Sequence, residues 1–178
     1  MYGAGAGQML GYFTSGALVS VAKESGQSAD TLVAQNILKM FSRMLSGSIS
    51  NARWIGNSDV IPQLASLVIG NQPVWLPPNG LAGAPGGFLM GIPLRLTEHA
   101  KTLGDKGDLQ LIDPRGYYAA TKRAGIKMST SIHLFFDYDI QAFKWTIRIG
   151  GQPFLSAPVS PKNGSNTKSH FVTLDERA

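Results

Sequence analysis

An α+β fold is predicted by how apolar residues are spaced along the chain. Between residues 28 and 70 they recur every three or four positions, whereas over residues 126–149 they alternate with a period of two. A run rich in proline and glycine, residues 71–88, separates the two patterns. At 178 residues the chain is long enough to bury a hydrophobic core without disulfides or metal.

Residues 1–27 are rich in Gly, Ala, Ser and Gln, and their one apolar stretch, Ala17 to Val21, reads as a strand. From Ser28 onward, Val33, Ile37, Met40, Phe41 and Met44 form one apolar stripe on a helix. Ser28 or Asp30 is placed to cap its start and Gly47 to end it. After an apolar patch at Ala52, Trp54 and Ile55, the capping residues Asn57, Ser58 and Asp59 precede Pro62, Leu64, Leu67 and Val68. That order predicts a second helix ending at Gly70.

Four prolines and four glycines make residues 71–88 a long surface loop. Phe88 to Leu94 then recover apolar character. Ile126, Met128, Thr130, Ile132, Leu134 and Phe136 alternate with Lys127, Ser129, Ser131, His133 and Phe135; Phe143, Trp145, Ile147 and Ile149 alternate with Lys144, Thr146 and Arg148. With Asp137, Tyr138 and Asp139 as the turn, an antiparallel hairpin with one apolar face is expected. Phe171 to Leu174 read as a last short strand.

Chemistry-bearing patterns are sparse. Without cysteine there is no thiol nucleophile and no Cys-type zinc site. His99, His133 and His170 are far apart in sequence and read as ordinary histidines. The stretch Ser46 to Ser50 follows a helix and lacks the second glycine of a nucleophile elbow, and the glycines near Gly86 have no Gly-Lys-Ser/Thr behind them. Asp137 and Asp139 read as solvated turn residues. No catalytic, cofactor-binding or metal residue is assigned, and no cofactor is implied. No apolar run approaches the ~20 residues of a membrane span, and no signal segment opens the chain, which reads as intracellular when made. The net charge of +5 sits in the second half, where residues 90–178 carry twelve Lys/Arg against eight Asp/Glu. Such a surface reads as a mildly basic solvated face, or as one meeting nucleic acid or an acidic partner.

Residue order adds a resemblance. Gly5-Ala6-Gly7 and Gly11, Gly26 to Thr31, Asn51 to Ile55, Pro73-Val74-Trp75, Leu89 to Leu94, Gly107-Asp108-Leu109, Tyr117-Tyr118 and Phe136 to Lys144 together resemble tailed-phage major capsid proteins. The resemblance implies the Hong Kong 97-type fold: an axial domain with a small mixed sheet flanked by two helices, plus a long antiparallel hairpin of the peripheral domain. Residues 1–23 would be a lead-in from the peripheral domain, 24–125 the axial domain, 126–157 the hairpin, and 158–178 a linker and returning strand.

It further implies a non-enzymatic subunit that assembles with copies of itself, into pentamers and hexamers of a phage or prophage head. Packaged DNA would be met through non-specific charge and no membrane is involved; the location would be the virion, and the bacterial host cytoplasm before assembly. Candidate subunit-contact loops are residues 76–88 and 102–107, with Leu76, Leu81, Phe88, Lys101 and Lys106 as candidate residues. Family members carry an N-terminal arm, an extended loop and a long spine helix ahead of the point where this sequence starts. The chain is therefore expected to be a portion of such a protein, not able to close a shell unaided and without lysine–asparagine cross-linking. An encapsulin-type shell shares the fold and stays open as an alternative, as does a basic nucleic-acid-binding domain.

Overall fold

Among the described residues Trp54 is the largest side chain fully withdrawn from solvent, and the sheet is organised around its strand. The computed structural model describes residues 1–69, 72–73, 87–122 and 125–178. The strands are β1 (Val19–Val21), β2 (Arg53–Gly56), β3 (Val68–Ile69), β4 (Gln72–Pro73), β5 (Gly87–Leu89), β6 (Ile92–Leu96) and β7 (Leu109–Ile112). They continue with β8 (Tyr117–Thr121), β9 (Lys127–Phe135), β10 (Ile140–Thr146), β11 (Ile149–Pro153) and β12 (Phe171–Leu174). The helices are α1 (Ala34–Arg43) and α2 (Ile61–Ser66).

Six strands form one mixed sheet in the order β1-β12-β7-β2-β6-β5. β1 runs parallel to β12 and β2 parallel to β6, while the other neighbours are antiparallel. The period of two sorts the strand side chains onto two faces. Leu109 and Leu111 join Trp54, Leu94, Val172 and Leu174 in one buried cluster with Ile37 and Met40 of α1 and Leu64 of α2. Both helices therefore cover the same face. On the other face Ile112 and Phe171 pack with Tyr12 and Ala17 from the N-terminal segment. There the Tyr12 and Phe171 rings stack at 5.0 Å, and the Tyr12 hydroxyl donates to Gln110 Oε1 at 2.6 Å. The Trp54 indole N–H donates to the Leu89 carbonyl at 2.9 Å, so burial leaves no polar atom of that side chain unpaired.

Both helices are shorter than the sequence spacing suggests. Neither Ser28 nor Asp30 caps α1, because Asp30 turns left-handed at φ 51° and its N–H bonds the Arg177 carbonyl. Asn36 reaches back instead, its Oδ1 accepting from the Val33 N–H at 3.1 Å. At the other end Met44 turns extended and bridges Ser169, and Gly47 falls within a separate 3₁₀ turn, Ser46–Asn51. Pairing with residue 169 replaces the helical bonds that would have carried α1 onward. The second helix begins with a 3₁₀ turn, Ser58–Val60, capped by Asn57, and α2 stops at Ser66. Val68 and Ile69, β-branched residues that fit strands better than helices, pair with β4. Gly70 lies outside the described residues. The apolar patch at Ala52 to Ile55 proves to be strand β2.

The hairpin forms as an antiparallel pair of β9 and β10. Its second strand does not run through to Ile149: it breaks after Thr146, and β11 pairs with β8. A backbone bond from Lys122 N–H to the Arg148 carbonyl joins the two pairs end to end.

A buried ion pair ties the C-terminal tail to the sheet. Arg177 and Asp108 are both fully buried, the guanidinium donating to both Asp108 oxygens. Asp108 also accepts from the Gly104 and Leu109 N–H groups. Arg177 Nε donates to the Thr31 carbonyl, and the Arg177 N–H bonds the Gly104 carbonyl. Gly104 sits at φ 97°, and a Cβ there would run into the Asp30 carboxylate, so this turn demands glycine.

Asp108→Ala, which leaves Arg177 buried and uncompensated, is expected to lower unfolding free energy in urea by about 3–5 kcal/mol. The pair Asp108→Leu with Arg177→Met recovers only part of that loss, because the Gly104 and Leu109 N–H groups and the Thr31 carbonyl lose their side-chain partners. Burial pushes the Tyr12 phenol well above its ordinary value, with the charge of Tyr2 adding to the effect. The unfolded phenol ionises near pH ~10, so the neutral folded phenol contributes stability that is lost as pH rises past that point. Denaturation measured from pH 8 to 11 should show this decline in the wild type and a flatter curve in Tyr12→Phe. That variant also loses about 1–3 kcal/mol at neutral pH, since Gln110 Oε1 is left without its donor.

Candidate assembly surface

Cross-strand register makes the β9–β10 ribbon two-faced. Trp145 stands opposite Met128 and Phe143 opposite Thr130, and the Phe143 and Trp145 rings lie 6.1 Å apart and nearly parallel. Ile132 and Leu134 extend the same alternation along β9. On the reverse face Lys144 stands opposite Ser129, Thr146 opposite Lys127, and Ala142 opposite Ser131. Among the described residues nothing covers the apolar face: Trp145 is 64% and Leu134 68% exposed. Among the described residues β9 and β10 pair only with each other, and the separate β8–β11 pair lies between them and the main sheet in the chain. A contiguous exposed apolar strip of this kind marks a contact surface.

The ribbon's tip is a single 3₁₀ turn, Phe136–Tyr138, followed by Asp139 in the left-handed region at φ 53°. Aspartate tolerates that conformation better than most residues. Phe136 and Tyr138 are exposed at the tip, as are Asp137 and Asp139. Where the β8–β11 pair meets the N-terminal segment, an open cavity of about 790 Å³ is lined by Met1, Met9, Tyr12, Ile112, Ile149 and Phe171 among others.

The residues singled out in the sequence are scattered. Leu76 and Leu81 lie outside the described residues. Phe88 is in β5, 64% exposed, with Met90 and Gly91 turning the chain at positive φ into β6. Lys101 is exposed, with its ammonium 6.0 Å from the Tyr2 ring centre. Lys106 pairs with Asp175 at 3.5 Å. The 102–107 turn is docked: the Gly107 N–H bonds the Leu174 carbonyl, and a Cβ at Gly107 would press on the Phe13 ring.

Of the three histidines, only His170 is drawn into a polar cluster. Ser48 Oγ lies 2.7 Å and Asp113 Oδ2 3.8 Å from its Nδ1. A catalytic histidine holds the serine hydroxyl on one ring nitrogen and the orienting carboxylate on the other; here Ser48 and Asp113 both face Nδ1. The cluster joins the Ser46–Asn51 and Pro114–Gly116 turns to the start of β12. Sequence spacing could not reveal it, since its members are 57 to 122 residues apart. Among the described residues no three His, Asp or Glu side chains gather to hold a metal ion. No helix among them is long and apolar enough to cross a membrane.

This architecture matches solved capsid subunits. The chain superposes on the capsid of an empty GTA particle computed with C5 symmetry at a TM-score of 0.63, with 16% identity, over 98% of this chain and 55% of that one. The native GTA particle's capsid gives a TM-score of 0.63 with 18% identity, over 97% of this chain and 55% of that one. The chain thus spans about half the length of the capsid chains it matches. No curated protein matches it. Residues 1–163 match the Phage capsid family, and the chain belongs to that family.

Replacing Phe143 with Ser and Trp145 with Thr should leave the urea unfolding free energy within about 0.5 kcal/mol of wild type, because both side chains are exposed. Binding of a hydrophobic dye should drop sharply in the same variant, and fluorescence titration checks this.

Proposed function

We propose that this chain is a major capsid subunit whose function is to self-associate into five- and six-membered rings of a phage or prophage head. The observation that carries this reading is the ribbon: a long two-stranded element that leaves the core and holds an apolar strip in water has a use only against another surface. Membership of the phage capsid family supplies the shell as that context. A structural, non-enzymatic role and a location in the virion capsid follow from the family, with assembly beginning in the bacterial cytoplasm and DNA enclosed afterwards.

On this reading residues 24–125, with α1 and α2, form most of the axial unit, β1 and the returning strand β12 complete its sheet, and residues 126–157 are the peripheral hairpin. The 76–88 loop and the 102–107 turn, with Phe88, Lys101 and Lys106, lie at contacts between subunits. Assembly by contacts that close into rings needs two different patches per subunit, so that each copy gives one and receives at the other.

Purified protein, concentrated and viewed by negative-stain electron microscopy alongside sedimentation velocity, should show rings or curved shell fragments. A single monomer boundary at every concentration contradicts the reading.

A further inference from the structure

Charge is segregated along the ribbon. Between Asp113 and Asp175 the chain carries eight Lys/Arg and only two acidic residues, Asp137 and Asp139, and both acids stand at the ribbon's tip. At its root Lys122, Lys127, Lys144 and Arg148 line one groove of about 360 Å³ with Gly125, Ser129 and Thr146. All four cations are exposed. Among the described residues none of them takes part in an ion pair.

A ribbon cannot neutralise its own root. Asp137 is ten residues from Lys127, and Asp139 five from Lys144; at ~3.3 Å per residue these are spans of roughly 33 and 17 Å. Both exceed the Debye length of ~8 Å at physiological ionic strength. Among the described residues neither acid takes part in an ion pair, so a cation for them is left to a second molecule.

We propose that the tip of one copy, Phe136 to Asp139, seats in the basic groove at the root of a second copy's ribbon. Asp137 and Asp139 meet the Lys/Arg cluster, and the exposed aromatic rings of Phe136 and Tyr138 supply the contact area that such anchors give at interface centres. Tip and groove are different patches, so the contact is heterologous and repeats from copy to copy until a ring closes. A nucleic acid would satisfy the cations but leave the acidic, aromatic tip without a role. The inference rests on the shell reading for the presence of the second copy.

The test uses two double variants of the full chain: Lys127→Glu with Lys144→Glu at the root, and Asp137→Lys with Asp139→Lys at the tip. Sedimentation equilibrium should show each variant associating about tenfold or more weakly than wild type, and wild-type association weakening with added salt. Mixing the two in equal amounts should restore association between unlike copies, because the unaltered acidic tip of the root variant then finds the unaltered basic groove of the tip variant, while the opposite pairing meets a groove in which two Glu offset Lys122 and Arg148. That rescue also shows that both variants are folded. If rings form in the wild type and in both variants alike, the contact is overturned while the shell reading stands. If the wild type forms none, both fall. If a short labelled DNA duplex binds the wild type, is lost with the root variant, and mixing brings no rescue, the groove belongs to nucleic acid and the contact is overturned.

Discussion

The ion pair between Arg177 and Asp108 is the constraint on which the rest of the architecture depends. Removing two charges from water costs several kcal/mol per ion before any attraction is counted, so the pair acts mainly by selection. A tail docked one residue out of place would leave both ions buried and alone. In the right place the guanidinium and its backbone bond Asp108, Thr31 and Gly104 and hold the Asp30 N–H. Three segments far apart in sequence are thereby fixed together: the approach to α1, the turn before β7 and the chain's last residues. The short length of α1 follows from this, because residues 28–32 are occupied in docking and cannot join the helix.

The sheet is asymmetric in what covers it. One face meets two helices through aliphatic and Met side chains. The other meets an irregular segment, and there Gln110 and Thr173 are buried among the apolar groups. A segment without regular structure has backbone groups to satisfy and brings polar partners with it, as Tyr12 does for Gln110. The ribbon differs again. It has a patterned face but no layer laid against it, so its order comes from cross-strand bonds alone while its apolar strip stays available.

Much of this was legible in the sequence because periodicity is local. The spacing places Ile37, Met40 and Leu64 on helices packed on a core, as found, and its hairpin over residues 126–149, turning at Asp137 to Asp139, forms over residues 127–146 only. Boundaries failed where a distant residue intervened: Ser169 ends α1, and the Arg177 carbonyl takes Asp30 away from any capping role. The patch around Trp54 was too short to declare a strand, and only its neighbours on both sides make it one. The candidate surface was half visible. Alternation showed that one face of the hairpin was apolar, but not that the chain would leave it bare, and spacing gave no hint that Lys122 and Lys144 share a groove. Ser48, Asp113 and His170 carried no joint signal at all.

The place of β12 in the sheet has a consequence for the timing of synthesis. This strand lies between β1 and β7, and its last residues lead to Arg177. Until residues 171–177 leave the ribosome, β1 has no partner in the sheet and Asp108 has no counter-ion. Contacts between residues far apart in sequence form slowly, and here such contacts, β1 with β12 and Arg177 with Asp108, close the core. A nascent chain thus carries an unfinished sheet with the β7 edge unpaired until this stretch is made, and an open edge of that kind is where premature association would start.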